Sequence, residues 1–294
     1  LYDPETHAFR SDTKIYEGTK ETYIKSMYVD KYGRYWVGSL DKYYVYDSSG
    51  ELIVECDPPV DACGFIWNLL PIGNDKLLVT TQTHEMWVFD IQDTIGKPTV
   101  LNVPFGNTVK VLRDKNNRYW FATDGFGLWY TDDEISEKAR FHSVVPYNSQ
   151  GLEIRKIYCM TLDSAGNVWL GTRNSGIWCY RGNDLTNISF SRNYGFPAVA
   201  CTGISEDKQG NLVVGSDGSG VYYVSPDFRN IELVELENNN VCSAVVKENG
   251  DVIVPTWGGG TFNIDARTKA VSKEDFSGMH LPSRCYFGAC RVCP

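Results

Sequence analysis

Two groups of side chains carry the chemistry this sequence offers. The first is Asp41, His84, Glu85, Asp124, Arg173, Asn174, Asp217 and Trp257; the second is Trp67, Asn107, Glu153, Arg155 and Tyr158. Carboxylates, amides and a guanidinium hydrogen-bond in fixed planes, and indole and phenol rings present flat apolar faces. A sugar offers what such a set can grip: hydroxyls that donate and accept in pairs, and C–H faces that lie against a ring. Any one of these residues taken alone reads more simply as a solvated loop residue. Trp257, beside Gly258-Gly259-Gly260, is the most pointed. A tryptophan in a glycine-rich polar loop has little packing reason to be there, apart from contact with a neighbouring loop. Trp67, His84, Asp124, Tyr158, Arg173, Asn174, Asp217 and Trp257 are therefore the candidate ligand-binding residues.

Catalysis is poorly provided for. The four histidines are His7, His84, His142 and His280, and just His84 falls in the two groups. Gly-x-Ser-x-Gly, His-Glu-x-x-His and phosphate-cradling loops are all missing from the sequence. Asp41, Glu85, Asp124 and Asp217 could ring a cation, but solvated turn carboxylates are the simpler reading. The expectation is no catalytic residue, no metal and no cofactor. Nine cysteines are present. Cys159, Cys179, Cys201 and Cys242 lie in apolar strand patterns and read as buried free thiols. Cys56 and Cys63 flank Pro58-Pro59 and could pair. Cys285, Cys290 and Cys293 match no strong zinc spacing.

The elements that must position these groups come from a repeat. Residues 163–181, DSAGNVWLGTRNSGIWCYR, read as turn, strand, turn, strand. The Gly166-Asn167 pair suits the positive φ values of a tight turn, and Val168-Trp169-Leu170 and Ile177-Trp178-Cys179-Tyr180 are strand-formers. The same unit recurs as DKYGRYWVGSLDKYYVYD at 30–47, DKNNRYWFATDGFGLWYTD at 114–132, EDKQGNLVVGSDGSGVYYVS at 206–225 and KENGDVIVPTWGGGTFNID at 247–265. A degenerate copy, PIGNDKLLVTTQTHEMWVFD, occupies 71–90. Aligned on Gly33, Asn74, Asn117, Gly166, Gly210 and Gly250, the copies step by 40 to 49 residues. A period in the forties with four short strands each is the mark of propeller blades, and six aligned copies disfavour one large sandwich.

The expected fold is therefore an all-β β-propeller of seven four-stranded blades, six from complete repeats and one from partial repeats at both ends. The full blades fall at 22–54, then to about 94, 98–145, 155–190, 199–236 and 240–270. Residues 1–10 finish one blade and SRCYFGACRVC, 283–293, begins another inner strand. Asp133 to Arg140 is the nearest approach to a helix and reads as one turn in a connection. The whole of 1–294 reads as a single propeller cut from a longer protein. In the repeat, Trp36, Trp120 and Trp169 fill the gap between blades, Gly38, Gly171 and Gly215 allow close approach near the axis, and Asp30, Asp114, Asp163 and Asp207 hold the turn. The two groups of candidate residues lie where the copies differ: in the loops between the second and third strands, and in those leading into each inner strand.

Composition removes several functions. With 37 acidic and 28 basic residues, the net charge is −9 and no Lys/Arg cluster stands out. Docking on a nucleic-acid backbone or an anionic membrane is disfavoured. No apolar run is long enough to span a bilayer, and no leader opens the chain.

The unit D-x-x-G-N-x-W-x-G-T followed by S-G-I-W-x-Y resembles the two-component regulator propeller repeat. The copy at 163–181 fits best, and those at 30, 114 and 206 fit well. Residues 71–90 and 247–265 depart, with Pro255 replacing the glycine. Leu281-Pro282-Ser283 is similar to the family's Gly-Leu-Pro-Ser lead into an inner strand. The resemblance implies the periplasmic sensor part of a hybrid two-component system in a polysaccharide-degrading bacterium. There, two seven-bladed propellers precede a β-sandwich, a membrane helix, a histidine kinase and a DNA-binding regulator. It implies an oligosaccharide or monosaccharide ligand, a second propeller and β-sandwich in the same chain, a homodimer, and no enzymatic activity in this segment. Two alternatives come from other classes: a protein-interaction or dimerisation scaffold without a ligand, and a propeller lyase centred on His84.

Overall fold

Segments such as Tyr35–Gly38, Tyr119–Thr123, Val168–Thr172 and Leu212–Ser216 are rich in aromatic and branched residues and lack a polar alternation. A strand of that kind must be covered on both faces. The computed structural model covers them so. It describes residues 2–3, 8–9, 23–56, 63–73, 75–92, 95–144, 153–181, 184–186, 199–226 and 231–274. The expected strand at 283–293, Leu281-Pro282-Ser283 and Cys285, Cys290 and Cys293 lie outside these residues.

The chain divides into two compact units, one within Leu1–Asn102 and one within Val103–Lys273. The first holds a short pair, Tyr2–Asp3 with Ala8–Phe9, and two four-stranded antiparallel sheets. Sheet one is Ser26–Val29, Tyr35–Gly38, Tyr43–Tyr46 and Leu52–Cys56; sheet two is Asn68–Ile72, Lys76–Thr80, Glu85–Asp90 and Thr99–Asn102. The second unit holds four more. Sheet three is Thr108–Arg113, Tyr119–Thr123, Leu128–Thr131 and His142–Val144, and sheet four is Ile157–Leu162, Val168–Thr172, Ile177–Arg181 and Asp184–Thr186. Sheet five is Cys201–Glu206, Leu212–Ser216, Val221–Val224 and Ile231–Val234, and sheet six is Val245–Val246, Val252–Thr256, Gly260–Ile264 and Val271–Lys273. Every sheet is a meander in which sequence neighbours are hydrogen-bonded neighbours. No helix occurs among the described residues, and Ser136 to Ala139 makes one turn, as expected of that connection.

One boundary differs from the sequence reading. Thr99–Asn102 is the outer strand of sheet two, paired Thr99 to Val88 and Asn102 to Glu85, and does not open the third repeat. A connection containing Pro98 separates it from Asp90, and this spacing masks the hairpin.

The repeat residues divide the work by strand period. In sheet four Val168 and Leu170 pack with sheet three, while Trp169 packs with sheet five. Trp36 and Trp120 likewise face the following sheet and are 1% exposed. Two residues on, and so on the same face, comes the glycine. A Cβ on Gly171 would stand 2.3 Å from Cys159 Sγ and 2.8 Å from Cys201 Cβ; on Gly215, 2.4 Å from Val241; on Gly38, 2.6 Å from Ile66. Trp-x-Gly therefore fills the wide part of an inter-sheet gap and clears the part where the next inner strand comes closest. Pro255 takes the glycine's place in sheet six, beside an inner strand of just two residues, and Cys242 N–H donates to its carbonyl at 3.0 Å.

The turn aspartate does more than accept turn amides. Asp163 Oδ1 accepts the Asn167 N–H at 2.7 Å, while Oδ2 accepts the Trp169 indole N–H at 2.9 Å. Trp120 donates to Asp114 and Trp36 to Asp30 at the same 2.9 Å. Burial alone would raise the Asp30 and Asp163 carboxyls, but these donated bonds outweigh it and hold both below their ordinary value. The described cysteines are free thiols, Cys56 and Cys63 included. Burial pushes Cys63 and Cys159 up to about 12, which keeps them protonated and inert. Cys242 is half-buried, unlike the other three strand cysteines.

Candidate functional site

Each second strand in the second unit ends on a buried hydroxyl that builds the loop after it. Thr123, Thr172, Ser216 and Thr256 donate to the carbonyl four residues on, at 2.6 to 2.8 Å. Phe126 and Ser175 N–H groups donate back to Thr123 and Thr172. The residue after the hydroxyl is thereby held at one register position: Asp124, Arg173, Asp217 and Trp257. Their N–H groups donate to the carbonyls of Asn107, Lys156, Ala200 and Asn240, at 2.8 to 3.1 Å. The loop residues and the residues leading into the inner strands thus meet at one end of each sheet.

The loops also reach the following sheet. Gly125 and Gly127 N–H both donate to Arg155 O at 2.9 Å, and Gly218 N–H donates to Asn239 O at 2.6 Å. Asp124 is bridged to Lys156, and Asp217 to Asn240. Across three sheets this brings side chains together around Tyr158, on the inner strand of sheet four. The Arg173 guanidinium lies over the Tyr158 ring at 6.0 Å. Burial raises the Tyr158 hydroxyl above its ordinary value, Asp124 and Asp217 raise it further, and Arg173 opposes them. Beside this group is a pocket of about 260 Å³ lined by Glu153 to Lys156 and Thr172 to Ser175. In it Arg155 pairs with Glu153 at 2.5 Å.

Of the sequence candidates, Asp124, Tyr158, Arg173, Asn174 and Asp217 therefore share one locale with Glu153 and Arg155. Trp257 holds the matching position in sheet six, 44% exposed, with its carbonyl accepting from Asn238 Nδ2 at 2.9 Å. Asn107 has a positive φ of 47° and donates through Nδ2 to Asp124 O, which makes it a loop brace. Trp67 and His84 belong to the first unit. His84 is exposed in the loop between the second and third strands of sheet two. Trp67 packs against Phe65 in a tilted arrangement, centroids 5.3 Å apart, with Lys25 Nζ 5.3 Å from the Trp67 ring centroid. Asp41 takes a positive φ and accepts the Gly64 N–H at 2.6 Å, which is an architectural duty. No three Asp, Glu, His or Cys side chains gather as a metal site among the described residues. The sequence reading missed Lys156, Phe65 and Lys25. Lys156 could have been found, because it occupies the position of Asn107 just ahead of an inner strand.

A model of the two-component regulator propeller matches residues 19–41 and 151–174. Two stretches of the chain thus match the two-component regulator propeller repeat. No curated protein matches the chain. Among solved structures, the propeller is similar to the extracellular domain of the putative hybrid two-component system BT4673 from B. thetaiotaomicron. The TM-score is 0.69 and the identity 19%, over 92% of this chain and 36% of that one. It is also similar to virginiamycin B lyase from Staphylococcus aureus, with TM-score 0.67 and 14% identity over 86% and 84% of the two chains. PorZ of the Porphyromonas gingivalis type-IX secretion system follows at TM-score 0.59 and 18% identity, over 80% and 37%. At such identities the likeness is one of fold, and the fold is an all-β propeller. The chain spans about a third of the BT4673 extracellular domain. The second and third repeats of the second unit, at 163–181 and 206–225, place Arg173 and Asp217 at one position of their blades.

Proposed function

We propose that this propeller is the ligand-sensing part of an extracytoplasmic, hybrid two-component signalling protein, and that it responds to a glycan breakdown product. The observation that carries this reading is the meeting of Asp124, Arg173 and Asp217, from three successive blades, around Tyr158. These residues come from copies that are otherwise built alike, and they differ in type where the repeat does not require them. An aromatic ring, a guanidinium and two carboxylates at one end of adjacent blades suit a hydroxyl-rich ligand.

The rest of the reading follows from the repeat. Residues 1–294 form a single propeller within a longer chain that adds a second propeller, a β-sandwich and a histidine kinase. The sensor works as a periplasmic homodimer, and the segment itself is not an enzyme. Among the described residues no helix is long and apolar enough to cross a membrane. Signalling is a shift between two dimer arrangements, driven by the ligand's unequal affinity for them.

The test is calorimetric titration of this chain, and of a version extended through the next propeller, with a panel of glycan fragments. Binding by the short chain supports a site on the blades described above. Binding by the extended version alone moves the site to a boundary between propellers. Silence from both removes the sensing reading and favours the scaffold.

A further inference from the structure

The pocket beside Tyr158 has the wrong sign of charge for the molecule that carries it. The chain's net charge is −9, yet the lining holds Arg155, Lys156 and Arg173 against Glu153 alone. Arg155 is taken up by Glu153. Lys156 and Arg173 make no ion pair among the described residues. Their main chains are tied to each other, Arg173 N–H donating to Lys156 O at 3.1 Å, so the two cations are anchored side by side on neighbouring strand ends. The Arg173 guanidinium is further held over the Tyr158 ring. Asp124 and Asp217 lie close enough to that ring for their charge to raise its hydroxyl, and the main chain of Asp124 is bridged to Lys156.

A ligand in this pocket meets Lys156 and Arg173. Neutral sugar hydroxyls bring no counter-charge to them, whereas a saccharide that also bears an anionic group does. We infer that the ligand is an acidic saccharide whose anionic group sits on Lys156 and Arg173. A guanidinium grips such oxygens through two parallel N–H groups, and the adjacent ammonium adds a point charge. A uronate carboxylate and a sulfate ester present the same anionic oxygens. This inference rests on the glycan-sensing reading and specifies its ligand.

The full chain is titrated with three sets matched in length: galacturonate oligomers, galactose oligomers, and galactose oligomers bearing a sulfate ester. One anionic set is expected to bind at least about tenfold more tightly than the neutral one, with the advantage shrinking as salt rises. Arg173→Gln and Lys156→Gln each reduce that advantage by about tenfold, while the exposed control Lys138→Gln leaves it intact. Preference for the carboxylate or the sulfate set identifies the source of the charge. Equal binding of neutral and anionic sets overturns the inference and leaves glycan sensing standing. So does an anionic preference that both pocket variants retain. If no set binds, the inference is overturned, and the wider glycan panel decides the sensing reading separately.

Discussion

An aspartate six residues ahead of a tryptophan does the same work three times, and that work can be measured. Asp163 joins turn amides to the Trp169 indole, and Asp114 and Asp30 do so for Trp120 and Trp36. Asp163→Asn should lower stability by about 1–2 kcal/mol at neutral pH, the worth of charge-assisted bonds to a partly buried carboxylate. Because the folded carboxyl lies below its ordinary 3.8, this stabilisation is present above that pH and is lost as pH falls through the folded value. Denaturant melts should therefore show the gap between wild type and Asp163→Asn closing below about pH 4. A gap that is constant with pH would mean the carboxylate charge plays no part. Tyr158 offers a second test. Its hydroxyl, observed through ring-carbon NMR of labelled tyrosine, should titrate above the ordinary 10.0. It should fall in Asp124→Asn and rise in Arg173→Gln. A Tyr158 that ignores both substitutions does not sit among these charges.

At the scale of the element, Trp-x-Gly is a rule about an inter-sheet gap. Gly171→Ala should cost about 1–3 kcal/mol by overpacking against Cys159 and Cys201, whereas Gly96→Ala, with nothing within 4 Å, should be neutral or slightly stabilising. Equal effects on urea midpoints would contradict the close approach of inner strands. Such residues were legible in the sequence because each recurs, and recurrence separates architecture from chance. The strand Thr99–Asn102 was misassigned for the converse reason: the unit at 71–90 has lost its tryptophan and glycine, and a connection with Pro98 follows it. The site was half legible. Asp124, Arg173 and Asp217 share a register position that alignment of the copies exposes. Their convergence on Tyr158 depends on three sheets packing side by side, which no local pattern records. Lys156 escaped because a lone lysine ahead of a strand looks like any solvated charge.

For the whole molecule, the repeat matches and the solved structures establish a β-propeller, and what is specific to this chain lies where its copies differ. The charge of −9 makes a localised pair of cations, Lys156 and Arg173, which form no ion pair among the described residues, a contrast with the net charge of the chain. A scaffold that merely dimerises has no use for that contrast, whereas a sensor of small soluble fragments does. The measurement that bears most directly on this is hydrogen–deuterium exchange of the full chain during titration with acidic and neutral glycan fragments. Sensing at this site predicts slowed exchange at residues 153–158 and 172–175, saturating with the fragment and absent in Arg173→Gln. Unchanged exchange there, with binding detected by calorimetry, would place the ligand elsewhere and contradict the account.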